Sequence, residues 1–259
     1  MGSEFIRTER IKMFKYELHL HTSQGSKCAH SSGKEYVDFY ISTGYSGAVV
    51  TDHFFHGNTR PERKLPWNEY MDEFLSGYYD MKEAAEGKDF QVFFGVEERF
   101  DTCDEYLIYG LEPEWFIAHP ELRELERIEY LTLAKESGAF IIQAHPYRYR
   151  DYYAKYDHFT IASSLVDAYE VFNSCNPPEH NKLALMLAKK EGKIMLGGSD
   201  RHKAENYIEI PGGIVLPKKV HSENELIDAI KNKSHKILGI ESLDSVSEDI
   251  KPALPITFI

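Results

Sequence analysis

The chain has 259 residues, 42% of them hydrophobic and 13% aromatic, enough to bury the core of one large α/β domain. Its 30 Lys and Arg against 42 Asp and Glu leave a formal net charge of -12, which argues against broad electrostatic binding to nucleic acid or an anionic membrane but not against a small anionic substrate in a cation-lined pocket. Cys28, Cys103 and Cys175 are odd in number and widely spaced, so neither a disulfide framework nor a thiolate zinc knuckle is expected, and a reducing cytoplasm is the simplest setting.

The opening MGSEF reads as a cloning remnant with Met13 as the natural start, so residues 1–12 are set aside and 13–259 are taken as one domain. No apolar run approaches the roughly 18 residues that span a membrane. From Met13 short apolar runs alternate with longer amphipathic ones, the pattern of βα units around a largely parallel sheet.

FKYELHLH is the first strand, GKEYVDFYISTGY a helix ended by Gly44, and GAVVTDH the second strand. WNEYMDEFLSGYYDMKEAAEGK is a long helix closing at Gly87, followed by strands FQVFFGVEERF and EYLIYGL. PELRELERIEYLTLAKESG is expected to be a single helix, with Pro120 at its start and Gly138 at its end. Strand AFIIQAHP stops at Pro146, and the tyrosine-rich stretch from Tyr147 to Thr160 reads as a long loop over one end of the fold. Strand DAYEVFN, helix EHNKLALMLAKKEGK, strand IMLGGSD, extended IEIPGGIVL and helix SENELIDAIKNK complete the series. With no repeat or linker, so many βα units in one domain favour a barrel over an open sheet.

The polar residues fall into a pattern on these strands. His19 and His21, Asp52 and His53, Glu97, His145, Asp200 and His202 each lie at the C-terminal end of an expected strand, which in an α/β barrel is one rim. Taken singly, each has an ordinary explanation: a hydrogen-bonded structural histidine, or an Asp capping the next helix. Together they are hard to explain that way. His19 with His21, and Asp200 with His202, are i, i+2 pairs that aim two ligand atoms to one side of a strand. Buried imidazoles and carboxylates converging without a cation would leave charges and donors unpaired, and the mixed set suits Zn, Mn or Fe.

HLHT, VTDH, GVE, AHP and GSDRH, in this order over nearly the whole chain, resemble the successive motifs of the PHP (polymerase and histidinol phosphatase) family. EVFN and KCAH resemble further runs of the same family. The resemblance implies a single distorted (β/α)7 barrel with two or three divalent transition-metal ions, Zn, Mn or Fe, at the C-terminal ends of the strands. By motif matching, His19, His21, Glu97 and Asp200 would hold a first ion, Glu97 would bridge to a second that His145 also binds, and His30, His53 and His202 would hold a third. Asp52 is carried in the same candidate set. Cys28 competes for the role given to His30, and His30 is the favoured assignment. The histidine that many members add after the glutamate strand is missing from DEYLIYGLEPE, which leaves Asp104, Glu105 or Glu112 as substitutes or a position open to water. His119, in IAHPEL, resembles the AHP motif only by chance.

The activity implied is hydrolysis of a small-molecule phosphate ester, a monoester or a nucleotide-like diester, with a metal-bridging hydroxide as nucleophile and Asp200 or His202 as the proton donor. Arg60, Arg148 and Arg201 lie in rim loops and are the candidate substrate-phosphate contacts. The expected partner is a small anionic phosphorylated substrate, with no stable nucleic-acid complex and no membrane. Two other classes stay in play: a catalytically silent metal-binding module of the same fold, and metal-dependent C–N hydrolysis, which the lack of a bridging lysine at the strand ends disfavours.

Overall fold

The computed structural model describes residues 12–100, 104–153, 155–205 and 208–259. Cys103 and most of the leader lie outside the described residues. The strands are β1 (Phe14–Glu17), β2 (Tyr45–Val50), β3 (Gln91–Arg99), β4 (Glu105–Tyr109), β5 (Phe140–Ala144), β6 (Phe159–Ile161), β7 (Ala168–Asn173), β8 (Ile194–Gly198), β9 (Ile214–Leu216), β10 (Lys236–Ile237) and β11 (Ile256–Phe258). The helices are α1 (Gly33–Ser42), α2 (Trp67–Ala84), α3 (Pro113–Ala118), α4 (Arg127–Glu136), α5 (Pro178–Glu191) and α6 (Glu223–Lys231).

Nine strands form one sheet in the order β10-β9-β1-β2-β3-β4-β5-β7-β8. It curls until its two ends nearly meet: past β1 and β8 the chain forms a parallel bridge between Leu20 and Arg201, with His21 N–H donating to Arg201 O at 2.9 Å. The result is the distorted barrel that the resemblance implied. Alternation along the strands makes two cores. Tyr16, Val49, Phe93, Leu107, Ile142 and Leu196 fill the barrel, and α6 closes its floor with Leu226, Ile227 and Ile230. Ala48, Val50, Phe94, Val96 and Ile141 face outward to helix residues such as Tyr70, Phe74 and Ala134.

β4 interrupts the largely parallel sheet, pairing antiparallel with both β3 and β5. Residues 100–104 are too few for a crossover, which takes a dozen residues or more, so the chain must double back. The single helix expected from Pro120 to Gly138 is a 3-10 turn (Pro120–Arg123) followed by α4. Glu126 starts the new helix, forming a capping box with Glu129, whose side chain accepts the Glu126 N–H at 3.3 Å. The loop after Tyr147 is as expected long, but it includes β6, which β11 covers in a small parallel pair. Among the described residues no helix is long and apolar enough to cross a membrane.

Candidate metal centre

The end of β1 is held from below by a buried carboxylate. Glu17 Oε1 accepts the N–H groups of Leu18 and His19 at 3.0 Å and of Ser199 at 2.8 Å, which ties the segment carrying His19 and His21 to the one carrying Asp200. His19 and His21 then project together, with their Nε2 atoms 3.2 Å apart. Glu97, near the end of β3, lies at the centre. Its Oε1 is 3.1 Å from His19 Nε2 and 3.3 Å from His145 Nε2, and its Oε2 is 3.4 Å from His21 Nε2 and 2.8 Å from His53 Nδ1. Asp200 Oδ1 closes the first group at 3.1 Å from His21 Nε2 and 3.5 Å from His19 Nε2.

His145 and Asp200 have φ of 28° and 53°, left-handed values that non-glycine residues seldom adopt. Both turn the chain abruptly where a strand ends, and the surrounding hydrogen bonds hold them there. His145 N–H donates to Glu170 Oε2 at 3.1 Å. Such strain concentrates at functional positions.

Electrostatics separates the imidazoles. Burial disfavours charge on all of them. Against that, Asp200, Glu170 and Glu97 raise the His19 pKa well above the ordinary histidine value, and Glu97 does the same for His53. His21 is driven well below it, by burial and then by the neighbouring His53 and His202. Burial opposes ionisation of Glu97 too, but His19 and His53 hold it well below the usual carboxylate range. The buried carboxylates thus favour protons on neighbouring imidazoles, and the same nitrogen donors would be free for divalent cations once those protons leave.

The donor set fits cations. His19, His21 and Asp200 form one group whose ligand atoms all lie within 4.8 Å of one another, and His53, Glu97 and Glu105 form another; His21 with His53 and His202 is a third. His53 Nδ1 and Glu97 Oε2, though 2.8 Å apart, are both buried without a hydrogen bond, so they face a common point but are not aligned with each other. That is the geometry of donors around an ion.

Several expected residues stand elsewhere. His30 is exposed, and its backbone N–H donates to His202 O at 2.7 Å. The residue turned inward from this loop is Cys28, whose Sγ lies 3.1 Å from His202 Nε2. Burial opposes the thiolate, but hydrogen bonds from His202 and His53 bring the Cys28 pKa down to about 6. Asp52 points away from the centre, as the residue adjacent to His53 on an extended chain must. It accepts from Thr22 N–H at 2.7 Å, Thr22 Oγ1 at 2.6 Å and Ser26 Oγ at 2.7 Å, and Ser26 Oγ in turn meets His21 Nδ1 at 3.1 Å. Arg60 is exposed and, among the described residues, its guanidinium reaches the carbonyls of Ser26 and Lys27. Arg201 is buried against the Phe39 ring, 4.5 Å from its centroid, and donates to the carbonyls of Lys203 and Ala204.

Arg148 is where the phosphate reading expects a cation: its Nη1 lies 2.5 Å from Asp200 Oδ2, and its Nε donates to Asn176 Oδ1 at 2.7 Å. Of the three proposed substitutes after the glutamate strand, Glu105 reaches the centre, with Oε2 3.5 Å from His145 Nε2. Asp104 instead pairs with Arg127 at 2.9 Å and accepts from Tyr106, and Glu112 is exposed. Glu170 went unforeseen. It lies within β7, accepts from His19 Nδ1 at 3.0 Å and from Asn173 Nδ2 at 3.0 Å, and orients His19. The run EVFN was its only signal.

Above the donors opens a cavity of about 470 Å³ whose lining includes Cys28, His53, Arg99, Glu105, Arg148, Asp200 and His202. Its size is that of a small-molecule site.

No family model matches the chain, and no curated protein matches it. Solved structures do. The chain is similar to a two-domain protein from Bacteroides vulgatus containing a predicted PHP-like metal-dependent phosphoesterase, at 18% identity and a TM-score of 0.63, covering 90% of this chain and 68% of that one. It is similar to a protein from Bifidobacterium adolescentis named as a metal-dependent phosphoesterase, at 13% identity and a TM-score of 0.52, covering 83% of this chain and 95% of that one. It also resembles Endonuclease Q, solved with a 27-mer duplex substrate bearing an abasic lesion, at 14% identity and a TM-score of 0.56, covering 87% of this chain and 58% of that one. The chain therefore has the fold of the PHP-like metal-dependent phosphoesterases, with its clustered histidines and carboxylates on the rim of that barrel.

Proposed function

We propose that the protein is a metal-dependent hydrolase of a small phosphate ester. The observation that carries this reading is the buried Glu97, within 3.4 Å of four imidazoles on three segments, at the base of a cavity that also holds Arg148. His19, His21 and Asp200 would hold one cation, and Glu97, Glu105 and His53, with His145 beside them, a second. Cations so placed supply an acidified water and neutralise charge on phosphoryl oxygens.

The chain's own residues divide the remaining work. Arg148 offers a planar guanidinium to the phosphate at the level of Asp200, and buried Asp200 is kept ionised, well below the usual range, chiefly by Arg148 and His19 against the cost of burial. An ionised Asp200 cannot deliver a proton near neutrality. His202 can: hydrogen bonding to Cys28 and the charge of Asp200 raise its pKa in spite of burial, and it lines the cavity. We therefore assign the leaving-group proton to His202 and leave Asp200 a ligand. Glu170 fixes the tautomer of His19 by accepting from Nδ1, and Asp52, through Ser26, steadies His21.

The modest size of the cavity favours a small anionic substrate over a duplex, and the free thiols of Cys28 and Cys175 suit the reducing cytoplasm. The test is a panel of phosphomonoesters and phosphodiesters with the protein as isolated, after chelation, and after Mn, Zn or Fe restoration, with His19→Ala as control. Hydrolysis restored by metal and absent in His19→Ala is expected. Stoichiometric metal binding with no ester cleaved would refute it in favour of a silent module, and C–N substrates would then be tried.

A further inference from the structure

The guanidinium of Arg148 carries its N–H donors on one rigid plane, and their partners are unequal. Nη1 meets Asp200 Oδ2 at 2.5 Å and Nε donates to Asn176 Oδ1 at 2.7 Å, whereas Nη2 is buried without a hydrogen bond among the described residues, in a side chain that lines the cavity. A fork held by its stem and by one prong leaves the other prong for a ligand. Asp200 belongs to the cation-binding cluster itself, so Asn176 is the neutral support of the pair. By position Asn176 reads as a helix cap, standing just before α5 with Pro177 and Pro178 behind it. The cap position is Pro177 instead, and the Asn176 oxygen goes to Arg148.

An amide can face two ways, and the backbone at the end of β7 decides which way this one faces. Asn181, buried on α5, accepts the Asn173 N–H at 3.1 Å through Oδ1 and donates to Asn173 O at 2.9 Å through Nδ2. Asn181 Oδ1 is thereby an acceptor, and Asn176 Nδ2 donates to it at 3.1 Å, which turns Asn176 Oδ1 to Arg148. Reversed, Asn176 would set its NH2 against the Arg148 Nε–H and its oxygen against that of Asn181, two mismatches at once. The mount is stiff as well: Asn176 N–H donates to Asn173 O at 3.0 Å, and a residue before proline is confined to extended backbone. We propose that Asn176 is a positioning residue for the substrate phosphate, acting through Arg148 by setting the guanidinium plane so that Nη2 faces the cavity, with Asn181 setting Asn176 in turn. Asn173 also donates through Nδ2 to Glu170 Oε2 at 3.0 Å, so one short stretch at the end of β7 aligns both the guanidinium and the carboxylate that orients His19. The inference rests on the hydrolase reading for what the phosphate does there, but the positioning is measurable without turnover, on the metal-loaded protein.

The experiment is a double-mutant cycle on inorganic phosphate binding, read by calorimetry on protein carrying stoichiometric Mn, Zn or Fe. Asn176→Ala should weaken phosphate binding by about tenfold with metal content unchanged, the scale of one charge-assisted bond set out of line. Asn176→Leu, which keeps the volume but accepts no hydrogen bond, should do the same and separates this effect from a packing defect. In an Arg148→Met background, Asn176→Ala should weaken binding by less than about twofold more, because a residue that acts through Arg148 has nothing left to act through. A nitrogen-15 spectrum gives the direct sign: the Arg148 Nε–H resonance, identified by its loss in Arg148→Met, should be protected from exchange in the unaltered protein and exchange faster in both Asn176 variants. Affinity within about twofold of the unaltered protein in both folded Asn176 variants, or an equal loss with and without Arg148, overturns the assignment, as does an unaltered metal-loaded protein that binds no phosphate. If phosphate binding behaves as expected while no ester is hydrolysed, the hydrolase reading falls and the Asn176 assignment stands. If esters are hydrolysed while phosphate binding ignores Asn176, the assignment falls and the hydrolase reading stands.

Discussion

Replacing Glu170 by Gln tests whether the donor cluster is built to bind cations or is a self-contained ion-pair network. The two Glu170 oxygens accept from His19 Nδ1 at 3.0 Å, His145 N–H at 3.1 Å and Asn173 Nδ2 at 3.0 Å, all out of water. An amide cannot satisfy these three. With its oxygen toward His19, its NH2 faces the two donors of His145 and Asn173. With its NH2 toward His19, Nδ1 must become the acceptor, the proton moves to Nε2, and the nitrogen 3.1 Å from Glu97 loses the lone pair that would bind a cation. Either arrangement leaves one or two buried donors unmatched, at about 1–3 kcal/mol each in the metal-free protein. Metal affinity should fall about 10- to 100-fold, the effect usual for a partner that orients a ligating histidine. Competition dialysis against a chelator, with metal content read by mass spectrometry and unfolding followed with and without metal, measures both quantities. Affinity within twofold of the unaltered protein, with stability lost, would mean that Glu170 supports the fold alone and that His19 is not a ligand through Nε2.

Further outcomes follow from the same geometry. His30→Ala should leave metal content and the pH–rate profile unchanged, whereas Cys28→Ser should move the alkaline limb of that profile to lower pH, because the Cys28 sulfur helps hold the proton on His202; equal behaviour of the two variants would contradict this. Glu223, far from the donors at the barrel floor, has its pKa raised from 4.5 to about 7 by burial, with Glu112 adding to the shift and the Gly110 N–H partly offsetting it. The folded state then holds a proton that the unfolded state releases, so stability should decline by about 2–3 kcal/mol as pH rises from about 4.5 to about 7 and level off above. Glu223→Gln should flatten this slope and be the more stable form at pH 8, as denaturant titrations at both ends of the range will show. Deleting residues 255–259 removes the strand whose backbone accepts from Phe159 N–H at 2.8 Å and donates to Ile161 O at 2.9 Å, beside the loop that carries Arg148 and Tyr156. KM should rise several-fold with metal content unchanged; loss of metal would show that the strand supports the barrel itself.

The residues legible in the sequence share a physical reason. His19 with His21, Glu97, His145 and Asp200 follow apolar runs that could only be buried strands, and strand periodicity together with one common rim brings them into one place. The loop assignments had no such periodicity behind them. Between Thr22 and His30 the chain turns on Ser26 and Asp52, and that turn decides that Cys28 faces inward and His30 outward. Asp52 itself was separable in principle, since a residue next to His53 on an extended segment faces the other way.

Glu105 shows how a rule that locates most of a site can hide the rest. Searching the C-terminal ends of strands finds ligands only where strands run parallel to one another. β4 runs the other way, so its first residue, not its last, arrives at the rim, opposite Arg99 and Ala144 in the ladder. The reversal was available from chain length, because the segment from Phe100 to Asp104 cannot carry a crossover. Once the strand is reversed, the missing histidine of DEYLIYGLEPE is no longer a gap. A carboxylate stands beside His145, and it adds negative charge where an imidazole would have added none. That exchange strengthens the demand for a cation between Glu97 and Glu105.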